Sequence, residues 1–499
     1  MQQQHTSRPD TSFDGGDLDC GSGLLLLIRR HIDPLAAGQT LEILSTDNTV
    51  EVDLPAWCRM TGNELLSIER RLNRQNSFLV RKGVLAGRSL KAATLSITPG
   101  KETAAINAPP IRPLSVMGMG SWPRPRWMLR AVHDRMATRM QDDEFQAIAD
   151  DAVSQAVEAQ VRAGADVLTD GEQRRDSYAS FVGGLLDNCQ LIPLTDLLPY
   201  VSDPVKFEKE MRALDIPAHE VRHPAVFGRI ARKKPLTLHE LKYVQTLSDK
   251  PVKIALPGPY LLTRTMWMEC LSDRAYASRE ELAEDIVRIM REELADLMQS
   301  GVALVQFDEP VLSEVVFSRE KEGSGGRSFM CGALGEKKPI AEELAFARDL
   351  INAVVAGFPR GRTAMHVCRG NWTPDESVAL AGDYRALLAH FKQLDVGTFM
   401  LELATPRAGE IEVLRELPDD RRIGVGVINQ KLEQTEDLET VLARAEAAIA
   451  LFGAERVLLT PDCGFATFAD NPLTSARLAE AKLQIIAAAA ARLRDKYNI

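Results

Sequence analysis

Thr363-Ala364-Met365-His366-Val367-Cys368 is a short apolar run that closes on an imidazole and a thiol, and runs of the same build recur along the chain. Its companions are Leu114–Gly118, Ala165–Thr169, Val252–Leu256, Ala303–Phe307, Phe399–Glu402, Ile423–Ile428 and Val457–Thr460. Between most of them lie amphipathic stretches that read as helices, for instance Glu280–Ser300, Ala341–Ala356 and Glu436–Phe452. Short apolar strands alternating with such helices are the pattern of parallel βα units. Eight strands are the number that closes a (β/α)8 ring, so the expected fold is α/β, with a TIM barrel over residues 114–499.

Nearly every one of these strands ends in a polar or metal-binding residue: Ser121, Asp170 with Glu172, Asp308 with Glu309, His366 with Cys368, Glu402, Asn429, and Asp462 with Cys463. In a barrel the C-terminal strand ends converge on one mouth, so the pattern points to a single site. His366 and Cys368 stand two apart, which on a strand puts both side chains on one side and lets both touch one ion. Zinc favours imidazole nitrogen and thiolate sulfur in tetrahedral sites; Cys463 and Glu402 would complete four ligands. A set this rich in sulfur speaks against magnesium or calcium. Plainer readings stay open: His-x-Cys on an apolar strand can be a packed pair, and Glu402, with Glu410 nearby, can be a solvated carboxylate.

Composition narrows the function class. With 499 residues and 45% hydrophobic content the chain can build a sizeable core and is long enough for two domains. A formal charge of −10 without long one-sign runs disfavours a protein that grips nucleic-acid phosphates. The seven cysteines are spread thinly, unlike a disulfide scaffold, which suggests a reducing compartment. Residues 1–16 lack the order of a secretion signal and no apolar run reaches membrane-spanning length, so a cytoplasmic protein that neither enters a membrane nor binds nucleic acid is expected.

Ahead of the barrel the chain reads as a disordered N-terminus at 1–16, a small α/β domain at 17–98 and a linker at 99–113. The small domain has an apolar helical stretch at Gly23–Arg30, strands at Thr40–Leu44 and Ser77–Lys82, and a second helix expected near Asn63–Arg71. The linker opens with Pro99-Gly100 and closes with Pro109, Pro110 and Pro113, which a helix or central strand would not tolerate.

Seven ordered segments carry a resemblance: Gly120-Ser121-Trp122-Pro123-Arg124-Pro125, Asp170-Gly171-Glu172, Leu256-Pro257-Gly258-Pro259, Phe307-Asp308-Glu309-Pro310, His366-Val367-Cys368, Leu401-Glu402 and Pro461-Asp462-Cys463-Gly464. Together they resemble the catalytic domain of cobalamin-independent methionine synthase, especially its short archaeal-type members, whose fold is a (β/α)8 barrel. The resemblance implies that His366, Cys368, Glu402 and Cys463 hold a catalytic Zn2+, and that Ser121, Glu172 and Asp308 bind the amino and carboxylate ends of homocysteine. From the residues alone, Glu172 and Asp308 can also be caps or ion-pair partners, with Arg174 and Arg175 close by, and Ser121 can cap a turn.

The implied function is zinc-dependent transfer of a methyl group to the thiol of homocysteine or a related small thiol. Zinc coordination deprotonates such a thiol while leaving its sulfur able to attack. Asp308 and Lys431 are the candidate catalytic residues; Lys431 stands where the long members of the family carry a histidine that serves as an acid. The aromatic that helps those members hold methylfolate has no match in register, Trp267 lying displaced, so the donor is open between methylfolate and a methylcorrinoid. Gly38–Ile43 and Asp53–Gly62 resemble the small sulfur-carrier family called TusA-like. That family carries a persulfide on a cysteine, which makes Cys20 the candidate carrier and a sulfur-relay protein a candidate partner, although the Cys-Pro-x-Pro motif is absent around Cys20. Two alternatives are an alkyl transfer of the epoxide and coenzyme M type, and a zinc-containing sulfur-relay or sensor protein without turnover.

Overall fold

A computed structural model describes residues 5, 8–18, 24–71, 75–83, 106–136, 139–193, 222–267, 272, 275–317, 338–371, 376, 379–469 and 472–499. In its N-terminal part four strands, β1 (Thr11–Asp14), β2 (Thr40–Ser45), β3 (Glu64–Arg70) and β4 (Asn76–Arg81), form one sheet in the order β1-β2-β4-β3. Helices α1 (Leu24–Ile32) and α2 (Val50–Met60) supply Leu24, Ile28, Ile32, Leu54 and Trp57 to a core closed by Ile43, Phe78 and Val80 of the sheet.

Two sequence expectations are corrected here. Residues 11–14, assigned to a disordered N-terminus, run parallel to β2 in register from Thr11 opposite Leu41 to Asp14 opposite Leu44. The segment 63–71, expected to be helical, is strand β3, paired antiparallel with β4. Its Leu-Leu-Ser-Ile-Glu-Arg run has residues common in helices, but Leu65 and Ile68 gain more by packing on the core across the sheet, and pairing overrides local preference. The second helix is α2 instead, with Pro55 inside it. Cys20, and residues 84–105 from the end of the small domain and the linker, lie outside the described residues.

Beyond residue 113 the strands β7 (Lys253–Pro257), β8 (Leu304–Asp308), β9 (Thr363–Val367), β10 (Thr398–Leu401), β11 (Arg422–Ile428) and β12 (Val457–Pro461) form a six-stranded parallel sheet in sequence order. The expected strands at 114–118 and 165–169 close the ring through bridges: Val116 to Leu459, Met117 to Val167, and Leu168 to Val252. Side chains take over part of their ladder. Val116 N donates to Asp166 Oδ2 at 2.8 Å, and Lys253 Nζ donates to the carbonyls of Gly118 and Met119 at 2.7 and 2.8 Å. Strand-like segments whose backbone groups are satisfied this way make bridges rather than long ladders. A separate two-stranded antiparallel sheet pairs β5 (Cys189–Pro193) with β6 (Arg222–Val226).

The helices around the ring are amphipathic and bury their apolar stripe on it: the helix Arg279–Gln299 buries Leu282, Ile286, Ile289, Leu294 and Leu297. The strand period of two sends every second residue inward. At one end these are Met117, Val167, Leu304, Ala364, Met400 and Leu458, a cluster of their own. Further along the same strands the inward positions turn polar, to Gln306 and Asp308, His366 and Cys368, and Glu402. The barrel thus grades from an apolar floor to a charged mouth. None of the described helices is long and apolar enough to cross a membrane.

Candidate metal centre and binding pocket

Three side chains meet at the mouth. The ligand atoms of His366, Cys368 and Cys463 lie within 4.8 Å of one another, all three residues are buried, and the group could hold a metal ion. His366 Nδ1 is 3.0 Å from the Met400 carbonyl, which can only accept, so that nitrogen carries the hydrogen. This turns Nε2 inward, 3.4 Å from Cys463 Sγ. A carbonyl fixing one ring nitrogen is the usual arrangement behind a metal-bound histidine. Contact with Cys463 holds the Cys368 thiol well below its usual range, and His366 adds to this against burial. The same contact, with burial, pushes Cys463 up. The pair favours one thiolate even without a cation.

Glu402 stands beside this triad. Its Oε1 accepts from the Arg369 amide at 3.2 Å and its Oε2 is 3.5 Å from Arg407 Nη1. Burial first, then the Cys368 charge, pushes its carboxyl up to about 8, with Arg407 pulling the other way. Asp462 Oδ1 accepts from the amides of Leu403 and Ala404 at 2.8 and 2.9 Å, so it fixes the turn after β10 that presents Glu402. Gly426 leaves room for it: a Cβ there would lie 2.0 Å from Asp462 Oδ1.

The triad forms part of the wall of a small pocket that Ser121, Glu172, Gln306, Asp308, Asn371 and Phe468 also line. Ser121, Glu172 and Asp308, from three different strand ends, are brought together with the candidate ligands. Glu172 adopts a left-handed backbone, φ +54, after Gly171 at φ +69. That conformation costs a non-glycine residue about 1 kcal/mol or more, and it is held by Asp170 Oδ1 on the Glu172 amide at 3.0 Å and by Arg124 on its carbonyl at 2.5 Å. Glu172 Oε2 is buried without a hydrogen-bond partner, and burial pushes the carboxyl up to about 7, with Arg175 lowering it and Asp308 raising it. Arg175 is 3.8 Å from Glu172 but makes its close pair with Glu240 at 2.5 Å, so Glu172 is not simply an ion-pair partner. Asp308, likewise raised by burial, accepts from Gln306 Nε2 at 2.7 Å.

Ser121 Oγ accepts from the Ala466 amide at 3.2 Å, which ties the first strand end to the loop after Cys463 rather than to a following helix. Lys431 is buried behind Glu402 and does not line the pocket; its Nζ has no hydrogen-bond partner, and burial pushes its ammonium down while Glu376 and Glu402 pull it up.

Several working residues escaped the sequence reading. Arg124 donates to the carbonyls of Ala466, Glu172 and Arg175, joining three strand-end loops. Asn371 donates to Gly464 O at 2.8 Å and Thr467 Oγ1 at 2.7 Å and so pins the Cys463 loop. Lys253 and Gln306 lie on inward positions of β7 and β8, and a charged residue inside Val252-Lys253-Ile254-Ala255-Leu256 was the available signal.

Comparison with known proteins agrees with this geometry. Residues 114–325 and 376–489 match the family described as cobalamin-independent synthase, catalytic domain, and residues 23–82 match sulfurtransferase TusA. His366 and Cys368 fall between the two matched barrel segments, and Cys20 falls just ahead of the N-terminal match. The methionine synthase of Sulfolobus acidocaldarius is 26% identical over 347 residues, covering 69% of this chain and 84% of the relative. That of Saccharolobus solfataricus is 24% identical over 356 residues, covering 71% and 88%. Among solved structures, a B12-independent methionine synthase from Shewanella sp. W3-18-1 in complex with selenomethionine superposes with a TM-score of 0.58 at 21% identity, over 77% of this chain and 99% of that one. A putative vitamin-B12 independent methionine synthase from Listeria monocytogenes gives a TM-score of 0.54 at 19% identity, over 78% and 99%. The family match spans well over half of the chain and holds most of the strand-end residues that meet at the mouth; the chain belongs to the cobalamin-independent methionine synthase family, with a TusA-type domain ahead of the barrel.

Proposed function

We propose that this chain is a zinc-dependent methyltransferase that places a methyl group on the thiol of homocysteine or a closely related amino thiol. One observation carries the reading: a buried nitrogen and two sulfurs close enough to share an ion open onto the same pocket as two buried carboxylates. The donor set fits zinc, since one imidazole and two sulfurs match its preference and His366 is already oriented by Met400 O. His366, Cys368 and Cys463 would hold the ion, with Glu402 as the fourth ligand once its side chain leaves Arg407. Zinc bound there would supply a thiolate at neutral pH that keeps its nucleophilicity.

The chain's own residues do the rest. Glu172 and Asp308 meet the substrate ammonium with charge-assisted hydrogen bonds. The Ser121 hydroxyl, accepting from Ala466, keeps its own hydrogen to donate to the substrate carboxylate. Methylfolate and a methylcorrinoid are the candidate donors. The TusA-type domain is the candidate contact for a sulfur-relay protein, with Cys20 as its carrier.

Metal analysis of the purified chain under reducing conditions should find about one zinc per chain, and Cys463→Ala should lose most of it. A wild-type protein without zinc would overturn the reading. Calorimetry should then show binding of homocysteine but not of coenzyme M, which has no amine for Glu172 and Asp308; the reverse preference would move the chain to the epoxide-opening class. Methionine formation with each methyl donor in turn identifies the donor.

A further inference from the structure

A lysine side chain with no solvent exposure lies inside the barrel under the pocket. Lys253 Nζ donates to Gly118 O at 2.7 Å, Met119 O at 2.8 Å and Gln306 Oε1 at 2.7 Å. Three acceptors use three N–H groups, the full complement of an ammonium. Burying a charge on neutral partners is costly, and Met in this otherwise apolar strand would avoid the cost. What the lysine does is orient its partners. Because Gln306 Oε1 accepts from Lys253, the amide cannot flip, and its Nε2 is committed to Asp308 Oδ1 at 2.7 Å. Without the ammonium the amide is free to turn its oxygen toward the Asp308 carboxylate and push it aside. The Gly118 and Met119 carbonyls lead directly into Gly120 and Ser121, which line the same pocket as Gln306 and Asp308.

We propose that Lys253 is a positioning residue for amine recognition, acting through Gln306 to hold Asp308 where it meets the ammonium of an amino thiol. The inference rests on the amino-thiol reading above. It assigns discrimination between thiols with and without an amine to a residue that touches neither. Lys253→Met and Gln306→Met, both carrying an unbranched side chain, test it with two ligands: homocysteine, and 4-mercaptobutyrate, which has the same chain and carboxylate but no amine. Each variant should bind homocysteine about tenfold more weakly, 4-mercaptobutyrate within about twofold of wild type, and zinc as wild type does. The double variant should lose no more than either single one, because both break one chain of contacts. Equal loss for the two thiols, unchanged homocysteine affinity, or additive losses would overturn the proposal. Should Lys253→Met not fold, Gln306→Met alone decides by the same two ligands. A wild-type protein indifferent to the amine would instead bring down the amino-thiol reading, and this inference with it.

Discussion

Glu172 shows how a single residue is set up here. Its backbone sits in a region where side chains are rarely found, its Oε2 has no protein partner, and Gly120 is a glycine because a Cβ there would lie 2.2 Å from Glu172 Oε1. Backbone strain and an unpartnered buried carboxylate oxygen in a pocket wall mark Glu172 as a candidate contact residue. The raised pKa of about 7 gives a signed prediction: below it Glu172 is largely neutral and attracts no ammonium, above it the carboxylate does. The KM for homocysteine should fall as pH rises between about 6 and 8, and Glu172→Gln should raise KM at pH 8 by roughly tenfold and flatten that part of the profile. A variant with the wild-type slope would place the titration elsewhere. Glu172, Ser121 and Cys463 were legible in sequence because each stands just past an apolar run, where barrel topology collects side chains. Lys253 was not, since it lies inside such a run and its role depends on Gln306, which only the ring brings beside it.

At the level of elements, the strand ends are joined by cross-loop contacts as well as by the ladder. The first and last strand ends are joined by Phe465 N to Ser121 O at 3.1 Å and by the Trp122 and Phe465 rings, edge to face at 5.6 Å. Glu309 accepts from the amides of Tyr260 and Leu261 at 2.8 and 2.9 Å, capping the helix Pro259–Met266, and Gly258 lets it in, since a Cβ would lie 2.1 Å from its carboxyl. Two quoted sequence segments therefore proved to be halves of one device. Arg124→Leu should strip the donor from three buried carbonyls and cost about 3 kcal/mol, read as a lower urea midpoint with an unchanged slope. A loss under about 1 kcal/mol would mean that the loops hold without it. The barrel strands were readable to within a residue or so because their apolar runs are bounded by polar ends. Strand β3 was misread because its Leu-Leu-Ser-Ile-Glu-Arg run is rich in residues common in helices and the irregularity between Leu65 and Ser67 breaks the strict alternation of a strand.

For the molecule as a whole, the residues around Trp57 and those around the barrel form separate hydrophobic clusters, each fed by its own sheet. Two cores predict two events: calorimetric unfolding should resolve two transitions, and a chain beginning at residue 106 should keep the higher-enthalpy one together with zinc and homocysteine binding. A single transition, or loss of zinc in the shortened chain, would show that the small domain completes the barrel. The small domain's strands β2 and β4 were legible from their apolar runs, whereas the extra strand at 11–14 was not, because four residues carry too little pattern to announce a partner 30 positions away. Ring closure has one more consequence. His366 and Cys463 are 97 positions apart, and the latter belongs to the last strand end, tied down by Ser121 from the first. On the ribosome the imidazole and one thiol therefore emerge well before their third companion, and a nascent chain cannot assemble the triad until residue 463 has been made. An ion held by all three side chains can therefore bind only once the last strand end has joined the first, so its binding would report a closed ring.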